Sequence, residues 1–138
     1  MIKKISSETW IKKEIMQSYL SVFGLLRPLK LERCDFVLIS EVDHKINGFV
    51  TCHEMDSESV YWQFGGIHKD IQKSVLVSNI YVEAIEWCKK KYKRITTRIE
   101  NTNLPMLRLA MKFGFIIQGV WNFKGKVYLE LCNEFGGL

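Results

Sequence analysis

The spacing of hydrophobic residues changes period several times along the chain, and each change predicts a new element. Between residues 72 and 91, Leu76, Ile80, Ala84 and Trp87 recur at the spacing of one face of a helix. Residues 101–115, NTNLPMLRLAMKFGF, repeat that period over a shorter stretch. The two segments therefore predict two amphipathic helices in the second half of the chain.

Segments rich in β-formers surround these helices and end at turn signals. They predict strands over residues 2–6, about 36–43, 48–55, 60–67, 93–100, 115–123 and 126–135. The turn signals include DHKING at residues 43–48, DSES at residues 56–59 and Lys124-Gly125-Lys126 between the last two strands. The strands therefore form a meander in the first half and alternate with helices in the second.

A further helix is predicted near the N-terminus. Ser6 or Ser7 can cap it, apolar residues from Trp10 onwards recur at helical spacing, and Gly24 and Pro28 end it. The element order predicts an α/β (α+β) fold, a mixed central sheet with helices on both faces. The length of 138 residues favours a single domain, 1–138.

Composition excludes several classes of protein. Hydrophobic residues make up 47% and charged residues 25%, an ordinary globular balance. No apolar run approaches the roughly 18 residues of a membrane span, and the N-terminus, MIKKISSETW, is too polar for a signal peptide. We therefore expect no membrane partner and a cytoplasmic location.

The four cysteines are widely spaced, with neither a CxxC pair nor a Cys/His cluster among them. The spacing predicts buried free thiols and no metal site. These residues are Cys34, Cys52, Cys88 and Cys132.

The net charge of +5 is partly concentrated in KKKYKR, residues 89–94. Such a run could contact an anion such as nucleic acid, with the strand aromatics Tyr61, Trp62 and Phe64 nearby. A solvated helix C-terminus, where cations complement the helix dipole, explains the run more simply. Core packing similarly explains the aromatics, so we do not expect nucleic acid as a partner.

The helix within residues 101–115 has a structural reason for each of its features. Asn103 is a good N-cap, Pro105 suits the first turn, and Gly114 fits the left-handed position after the helix. The apolar stripe of the helix consists of Met106, Leu109, Ala110 and Phe113, with Leu107 beside it.

The same segment resembles the GNAT superfamily of N-acetyltransferases. That family's pattern has Asn at a strand end, a helix, K-x-G-F and often x-x-G, which Asn103, Lys112-Phe113-Gly114-Phe115 and Gln118-Gly119 match without a gap. Gly48 resembles the glycine that commonly opens the family's third strand, and the predicted element order matches that fold over nearly the whole chain. The resemblance implies a GNAT-like acyl-CoA N-acyltransferase fold.

The resemblance also implies a site for acetyl-CoA. The cofactor would lie between two splayed strands, residues 60–67 and 94–100, with its pyrophosphate at a helix N-terminus. Asn103 would lie near the thiol end, and backbone N–H groups of residues 65–67 would polarise the carbonyl. The cofactor-binding residues expected from it are Gly66, Ile67, Lys69, Gln72, Lys73, Ser74 and Asn103.

The chain departs from the family at two places. In the phosphate loop, Q/R-x-x-G-x-G/A, Lys69 stands for the basic residue, while Gln72 and Ser74 replace the two small residues. Many members carry a Tyr seven residues after the Asn that can protonate the departing thiolate, and here that position is Ala110. Tyr128 on the last strand could reach a thiol, but a half-buried β-forming residue explains it more simply.

General-base candidates are Glu54, on the central strand, and Glu41. A base must take a proton from the acceptor amine, directly or through a water. A solvated strand-end carboxylate explains each of them more simply. His53 neighbours Glu54, but adjacent strand residues point to opposite faces, so no metal pair follows.

Two functions remain open at this stage. One is transfer of an acyl group from acetyl-CoA to an amine of a small molecule or protein. The other is a catalytically inactive GNAT-fold module for binding or assembly. Divergent proteins of this fold also occur in bacteriophages, some in virion or head assembly, where a virion location and a protein partner would follow. The resemblance also implies a homodimer paired through the last strands.

Overall fold

The β-forming segments of the sequence build a mixed sheet in the computed structural model, which describes residues 2–6, 34–67 and 76–135. The strands are β1 Ile2–Ser6, β2 Phe36–Val42, β3 Lys45–Glu54, β4 Ser59–Ile67, β5 Arg94–Glu100, β6 Ile116–Phe123 and β7 Lys126–Glu134. The helices in these ranges are α1, Leu76–Lys89, and α2, Leu104–Lys112. The seven predicted strands are confirmed, and so are the helices of the second half. The predicted N-terminal helix lies outside the described residues.

The strands follow the order β1-β2-β3-β4-β5-β7-β6 in the sheet. β4 and β5 pair in parallel, whereas β1–β2, β2–β3, β5–β7 and β6–β7 pair antiparallel. A parallel pair needs a crossover connection, and α1 lies between β4 and β5 in the chain. The mixed α/β sheet predicted from the sequence is therefore confirmed.

The hairpin between β2 and β3 corrects one predicted boundary. The sequence predicts a six-residue turn and a strand from Gly48, but β3 already begins at Lys45. Asp43 and His44 both adopt positive φ, 52° and 64°, as a two-residue turn requires when its twist matches that of the flanking strands. The tight turn lets Lys45 pair directly with Val42, so the remaining polar residues of DHKING belong to the strand.

The chain divides into two compact units. The first unit comprises residues 1–53 and 63–87. Its described core comes mainly from β2 and β3, where Val37, Leu38 and Cys52 are fully buried or nearly so. α1 packs on this unit, since the rings of Trp87 and Phe36 lie 5.7 Å apart.

The second unit comprises residues 54–62 and 88–138. Its core is formed by Val60, Ile95 and Leu131, which are fully buried on three neighbouring strands. Leu107 and Ala110 are the buried residues of α2. The ring of Phe115, the residue before β6, lies 6.0 Å from that of Trp62. The single-domain prediction stays a prediction.

All four cysteines are free and buried, as the sequence predicts. Burial raises the pKa of the Cys88 thiol to about 12 and raises the pKa values of Cys34 and Cys132 as well. In the ranges that the structure covers, no group of three or more His, Cys, Asp or Glu side chains could hold a metal ion. No described helix is long and apolar enough to cross a membrane.

Candidate active site

The chain makes a tight turn where β5 ends, and this turn carries the residue that the family pattern selects. The N–H of Asn103 donates to the carbonyl oxygen of Glu100 at 2.9 Å, and the N–H of Leu104 donates to that of Thr102 at 3.0 Å. These bonds connect the last residue of β5 directly to the start of α2. Glu100 and Asn103 are thereby held at one end of the strand.

Asn103 is the N-cap of α2, as predicted. Its side-chain oxygen accepts a hydrogen bond from the N–H of Met106 at 3.3 Å, and Pro105 lies in the first turn. After the helix, Gly114 has a φ of 95°, and the N–H of Phe115 bonds the carbonyl of Ala110 at 3.0 Å. Capping at both ends fixes where the helix begins, and with it the position of Asn103 against β5.

Glu100 shares one face of the sheet with charged and aromatic side chains. Residues two apart on a strand point to the same side, so Arg98 and Glu100 project together. Their partners on β7, Glu130 and Tyr128, lie opposite them in register. The face around Glu100 therefore combines a carboxylate, a phenol and an ion pair.

Arg98 lies close to several other side chains on this face. Its Nε lies 3.5 Å from Oε1 of Glu130, and its guanidinium carbon lies 4.1 Å from the centre of the Trp121 ring. The Tyr61 ring is 5.9 Å away on the other side. Burial raises the pKa of Tyr61, although the Arg98 charge opposes the shift. The Arg98 guanidinium therefore already has the Glu130 carboxylate and the Trp121 and Tyr61 rings as neighbours.

Arg98 is paired with Glu130, whereas no described cation is paired with the Glu100 carboxylate. Within the described ranges, no side-chain hydrogen bond or ion pair holds this half-buried group. A carboxylate that is not paired with a cation can accept a proton from a bound amine. Glu100 is therefore a base candidate that the sequence analysis missed. Its position three residues before the capping Asn103 is the signal that could have identified it.

The predicted base Glu54 lies elsewhere in the same unit. Its Oε2 accepts a hydrogen bond of 2.6 Å from the hydroxyl of Tyr92, two residues before β5 begins. β5 spans seven residues, and a strand of that length separates its two ends by about 20 Å. The structure therefore holds Glu54 and Asn103 at opposite ends of β5 and does not bring them together.

The second predicted base, Glu41, lies in the first unit beside the β2–β3 hairpin. Its Oε1 is 4.0 Å from Nδ1 of the exposed His44. A register shift between Ser40 and Glu41 interrupts the pairing, so that Ser40 lies opposite Gly48 and Glu41 opposite Ile46. Glu41 is thus near the end of β3 that meets Gly66 and Ile67.

Gly66 and Ile67, two predicted cofactor residues, form the end of β4. A Cβ placed on Gly48 would meet the carbonyl oxygen of Gly66 at 3.2 Å and Cδ1 of Ile67 at 3.0 Å. Gly48 thus lets β3 approach the end of β4 closely. The parallel register of β4 with β5 runs only from Ser59↔Arg94 to Trp62↔Thr97, and β4 continues five residues further.

The remaining predicted cofactor residues lie outside the described residues. They are Lys69, Gln72, Lys73 and Ser74. The first turn of α1 as described carries no acidic residue. The proposed arrangement of the phosphate loop stays a prediction.

Ala110 occupies the position where many GNAT members carry the proton-donating tyrosine. It is buried in α2, where only 4% of its surface is exposed. A methyl group at this position can pack but cannot protonate a thiolate. Tyr128, opposite Glu100 across the β5–β7 pair, is the phenol that the structure holds beside the β5 end.

Comparison with solved structures finds the same architecture in acetyltransferases. A GNAT family acetyltransferase from Elizabethkingia anophelis with acetyl-CoA bound has a TM-score of 0.75 and 16% identity, covering 97% of each chain. An acetyltransferase from Bacillus subtilis in complex with CoA has a TM-score of 0.72 and 17% identity, covering 96% of this chain and 97% of that one. The ribosomal-protein-S18-alanine N-acetyltransferase from Escherichia coli has a TM-score of 0.78 and 12% identity, covering 100% and 96%.

The chain has the GNAT acetyltransferase fold. The similarity spans essentially the full length of both chains in each pair, so the fold expected from NTNLPMLRLAMKFGF and the element order is confirmed. No protein-family model matches the sequence, and no curated protein matches it significantly. The chain thus shares this fold with the three solved structures at only 12% to 17% sequence identity.

Proposed function

We propose that the chain transfers an acetyl group from acetyl-CoA to an amine. The full-length match to the GNAT acetyltransferase crystallised with acetyl-CoA carries this proposal. The capped turn from Glu100 to Asn103 supports it, because it puts a carboxylate beside the residue that the family pattern assigns to the thiol end.

In the proposed reaction, Glu100 acts as the general base. The amine nitrogen attacks the thioester carbonyl carbon, the new C–N bond forms, and the C–S bond breaks. The proton lost from nitrogen passes to the Glu100 carboxylate, directly or through a water. The hydroxyl of Tyr128 donates a proton to the departing thiolate, a role that Ala110 cannot take.

The roles expected of the backbone N–H groups of residues 65–67 at the carbonyl, and of Lys69, Gln72, Lys73 and Ser74 at the pyrophosphate, stay predictions. Glu54 is held by Tyr92 and serves the structure rather than the chemistry. Glu41 remains a second base candidate, near the end of β4.

The acceptor is an amine of a small molecule or a protein. Among the neighbours, the Escherichia coli enzyme is named for a ribosomal-protein alanine, and a Vibrio cholerae chimera is a spermidine N-acetyltransferase. Glu100 and Glu130 carry two negative charges on this face, and Arg98 carries one positive charge. The negative excess suits a cationic acceptor in preference to an anionic one. A polyamine and a peptide with an N-terminal alanine are therefore the first acceptors to assay.

Titration calorimetry with acetyl-CoA tests the cofactor half of the proposal. We expect saturable heat and a raised melting temperature. Neither heat nor a thermal shift at millimolar acetyl-CoA would overturn the proposal.

Substitution tests the catalytic half. Glu100→Gln should keep acetyl-CoA binding but lower kcat by about 10²- to 10⁴-fold, because the amide cannot accept the proton. Glu54→Gln is the matched control. It replaces the carboxylate that accepts the hydrogen bond of Tyr92, in the same unit. It should leave kcat within a few-fold of the wild-type value, while lowering the free energy of unfolding. If Glu54→Gln abolishes turnover while Glu100→Gln does not, the assignment of the base is wrong.

A second candidate is a binding or assembly module that has lost the chemistry. The buried Ala110, at the position of the family's proton donor, favours it. The module would bind a protein partner, with a bacteriophage virion as the setting expected from the resemblance. It predicts that the purified chain acetylates neither acceptor, whether or not it binds acetyl-CoA.

A further inference from the structure

Arg98 lies on the same face of β5 as the proposed base, and the strand fixes its position relative to Glu100. The two residues are two positions apart, so their Cα atoms lie about 7 Å from each other and both side chains point to the same side. Arg98 exposes 35% of its side-chain surface, and its charge is permanent. An acceptor whose amine reaches Glu100 and whose chain continues along β5 therefore meets the guanidinium.

Three described side chains surround this guanidinium, and together they have the chemistry of a cation-binding site. The centres of the Trp121 and Tyr61 rings lie 4.1 and 5.9 Å from its central carbon, and Oε1 of Glu130 lies 3.5 Å from its Nε. Aromatic faces and carboxylates are the groups that bind ammonium ions in proteins. Arg98 therefore occupies the place that a cation of a ligand would otherwise take.

Strand pairing holds the surrounding groups in place independently of the guanidinium. Glu130 pairs with Arg98 in the register of β5 and β7, and Trp121 pairs with Tyr128 in the register of β6 and β7. Tyr61 belongs to β4, which pairs with β5 in parallel. Without the guanidinium, the two rings and the carboxylate would still face one common space.

Charge decides which acceptors suit this face. Arg98 and Glu130 form an ion pair, so that Glu100 supplies the net negative charge of the three groups. One ammonium group on the acceptor matches that charge. A second ammonium group a few carbon atoms further along β5 would lie beside the guanidinium, where like charges repel each other.

We infer that Arg98 is a specificity-determining residue, which excludes acceptors that carry a second ammonium group near the reacting amine. The acceptors that it selects are monoamines, including peptide N-termini without a neighbouring cation. This inference rests on the proposed function, and it separates the two acceptors named there, in favour of the peptide and against the polyamine.

Butylamine and putrescine test the inference, because they have the same carbon chain and differ only in the second amine. The wild type should acetylate butylamine with a kcat/KM at least about tenfold higher than that for putrescine. Arg98→Ala should remove this preference, because the second ammonium group then meets Trp121, Tyr61 and Glu130. Arg98→Met, which keeps most of the side-chain volume without the charge, should remove it too. Arg98→Lys should retain it.

Arg94→Ala is the matched control. Arg94 is the first residue of β5, lies on the same face as Arg98 and is paired with Glu58 and Glu134. Its substitution removes the same charge from the other end of the strand and should leave the preference for butylamine unchanged. The double variant Arg98→Ala/Glu130→Gln should lose the gain in putrescine turnover, because the second ammonium group has no carboxylate partner. Circular dichroism verifies that all variants are folded.

Titration calorimetry with putrescine in the absence of acetyl-CoA separates this inference from the proposed function. Arg98→Ala should bind putrescine at least about tenfold more tightly than the wild type does. If this gain is seen but neither protein acetylates either amine, the inference stands and the proposed function fails. Equal wild-type kcat/KM values for the two amines would overturn the inference. So would an Arg98→Ala variant that matches the wild type in amine preference and in affinity for putrescine.

Discussion

The absence of a side chain at Gly48 matters for the packing of β3 against the end of β4. A Cβ at this position would approach a backbone carbonyl oxygen of β4 and the tip of Ile67 at 3.2 and 3.0 Å. The flexible end of Ile67 can shift, but the backbone of Gly66 cannot do so without moving the end of β4. This residue therefore controls how closely β3 and the end of β4 can pack.

Gly48→Ala should accordingly lower the free energy of unfolding by about 1–3 kcal/mol through overpacking, as measured by urea denaturation. Gly119→Ala is the control, because a Cβ there meets its nearest atom, Oε2 of Glu130, at an ordinary 3.6 Å. Equal stability of the two variants would contradict the argument from close approach.

At the scale of elements, α2 shows how local capping fixes a functional residue. The oxygen of Asn103 satisfies an N–H group at the helix start, while its own N–H group bonds the end of β5. The hydrogen bond from the Asn133 side chain to the carbonyl of Phe113, 2.9 Å long, holds the other end against β7. The helix therefore positions Asn103 whether or not a ligand is bound.

Asn103→Ala should cost about 1 kcal/mol in the free energy of unfolding, because one N–H group of the first turn loses its acceptor. Asn103→Ser should restore most of that stability, since serine is also a good N-cap. Asn101→Ala, in the same exposed turn, is the control and should change stability little. An Asn103→Ala variant as stable as wild type would show that the cap is energetically silent.

At the scale of the whole molecule, the buried thiols are among the groups that make stability depend on alkaline pH, together with Tyr61 and Tyr81, whose pKa values burial also raises. The unfolded chain ionises a cysteine near its ordinary pKa of 9, but folded Cys88 stays protonated until about pH 12. Between these values the folded state binds more protons than the unfolded state, so stability falls as pH rises. Cys34 and Cys132, whose pKa values are also raised, act in the same direction.

Urea denaturation at intervals between pH 8 and 11 should therefore show decreasing stability, with Cys88 contributing up to about 1.4 kcal/mol per pH unit above 9. Cys88→Ala should have a shallower slope over that interval, whatever its stability at pH 8. A slope unchanged by this substitution would mean that Cys88 ionises equally in both states.

The sequence predicts the strands and helices more completely than it predicts the candidate site. Periodicity located the strands and both described helices, because burying one face of an element requires that spacing. The start of β3 was wrong by three residues, because a two-residue turn with positive φ at Asp43 and His44 is one of several that DHKING could form. Site residues on loops and strand ends depend on such boundaries more than core residues do.

By itself, the sequence determined the described strands and helices to within a few residues, the capping of α2 and the burial of four free cysteines, because each depends on local spacing or on hydrophobicity. Only the tertiary structure decided which carboxylate lies beside Asn103. The sequence does not distinguish Glu54 from Glu100 as a base. In the structure, Glu54 accepts a hydrogen bond from Tyr92, whereas Glu100 lies beside the turn into α2. The tertiary structure also decided that IIQGVWNF is an edge, because the burial of a strand depends on its neighbours, which lie far away in the chain.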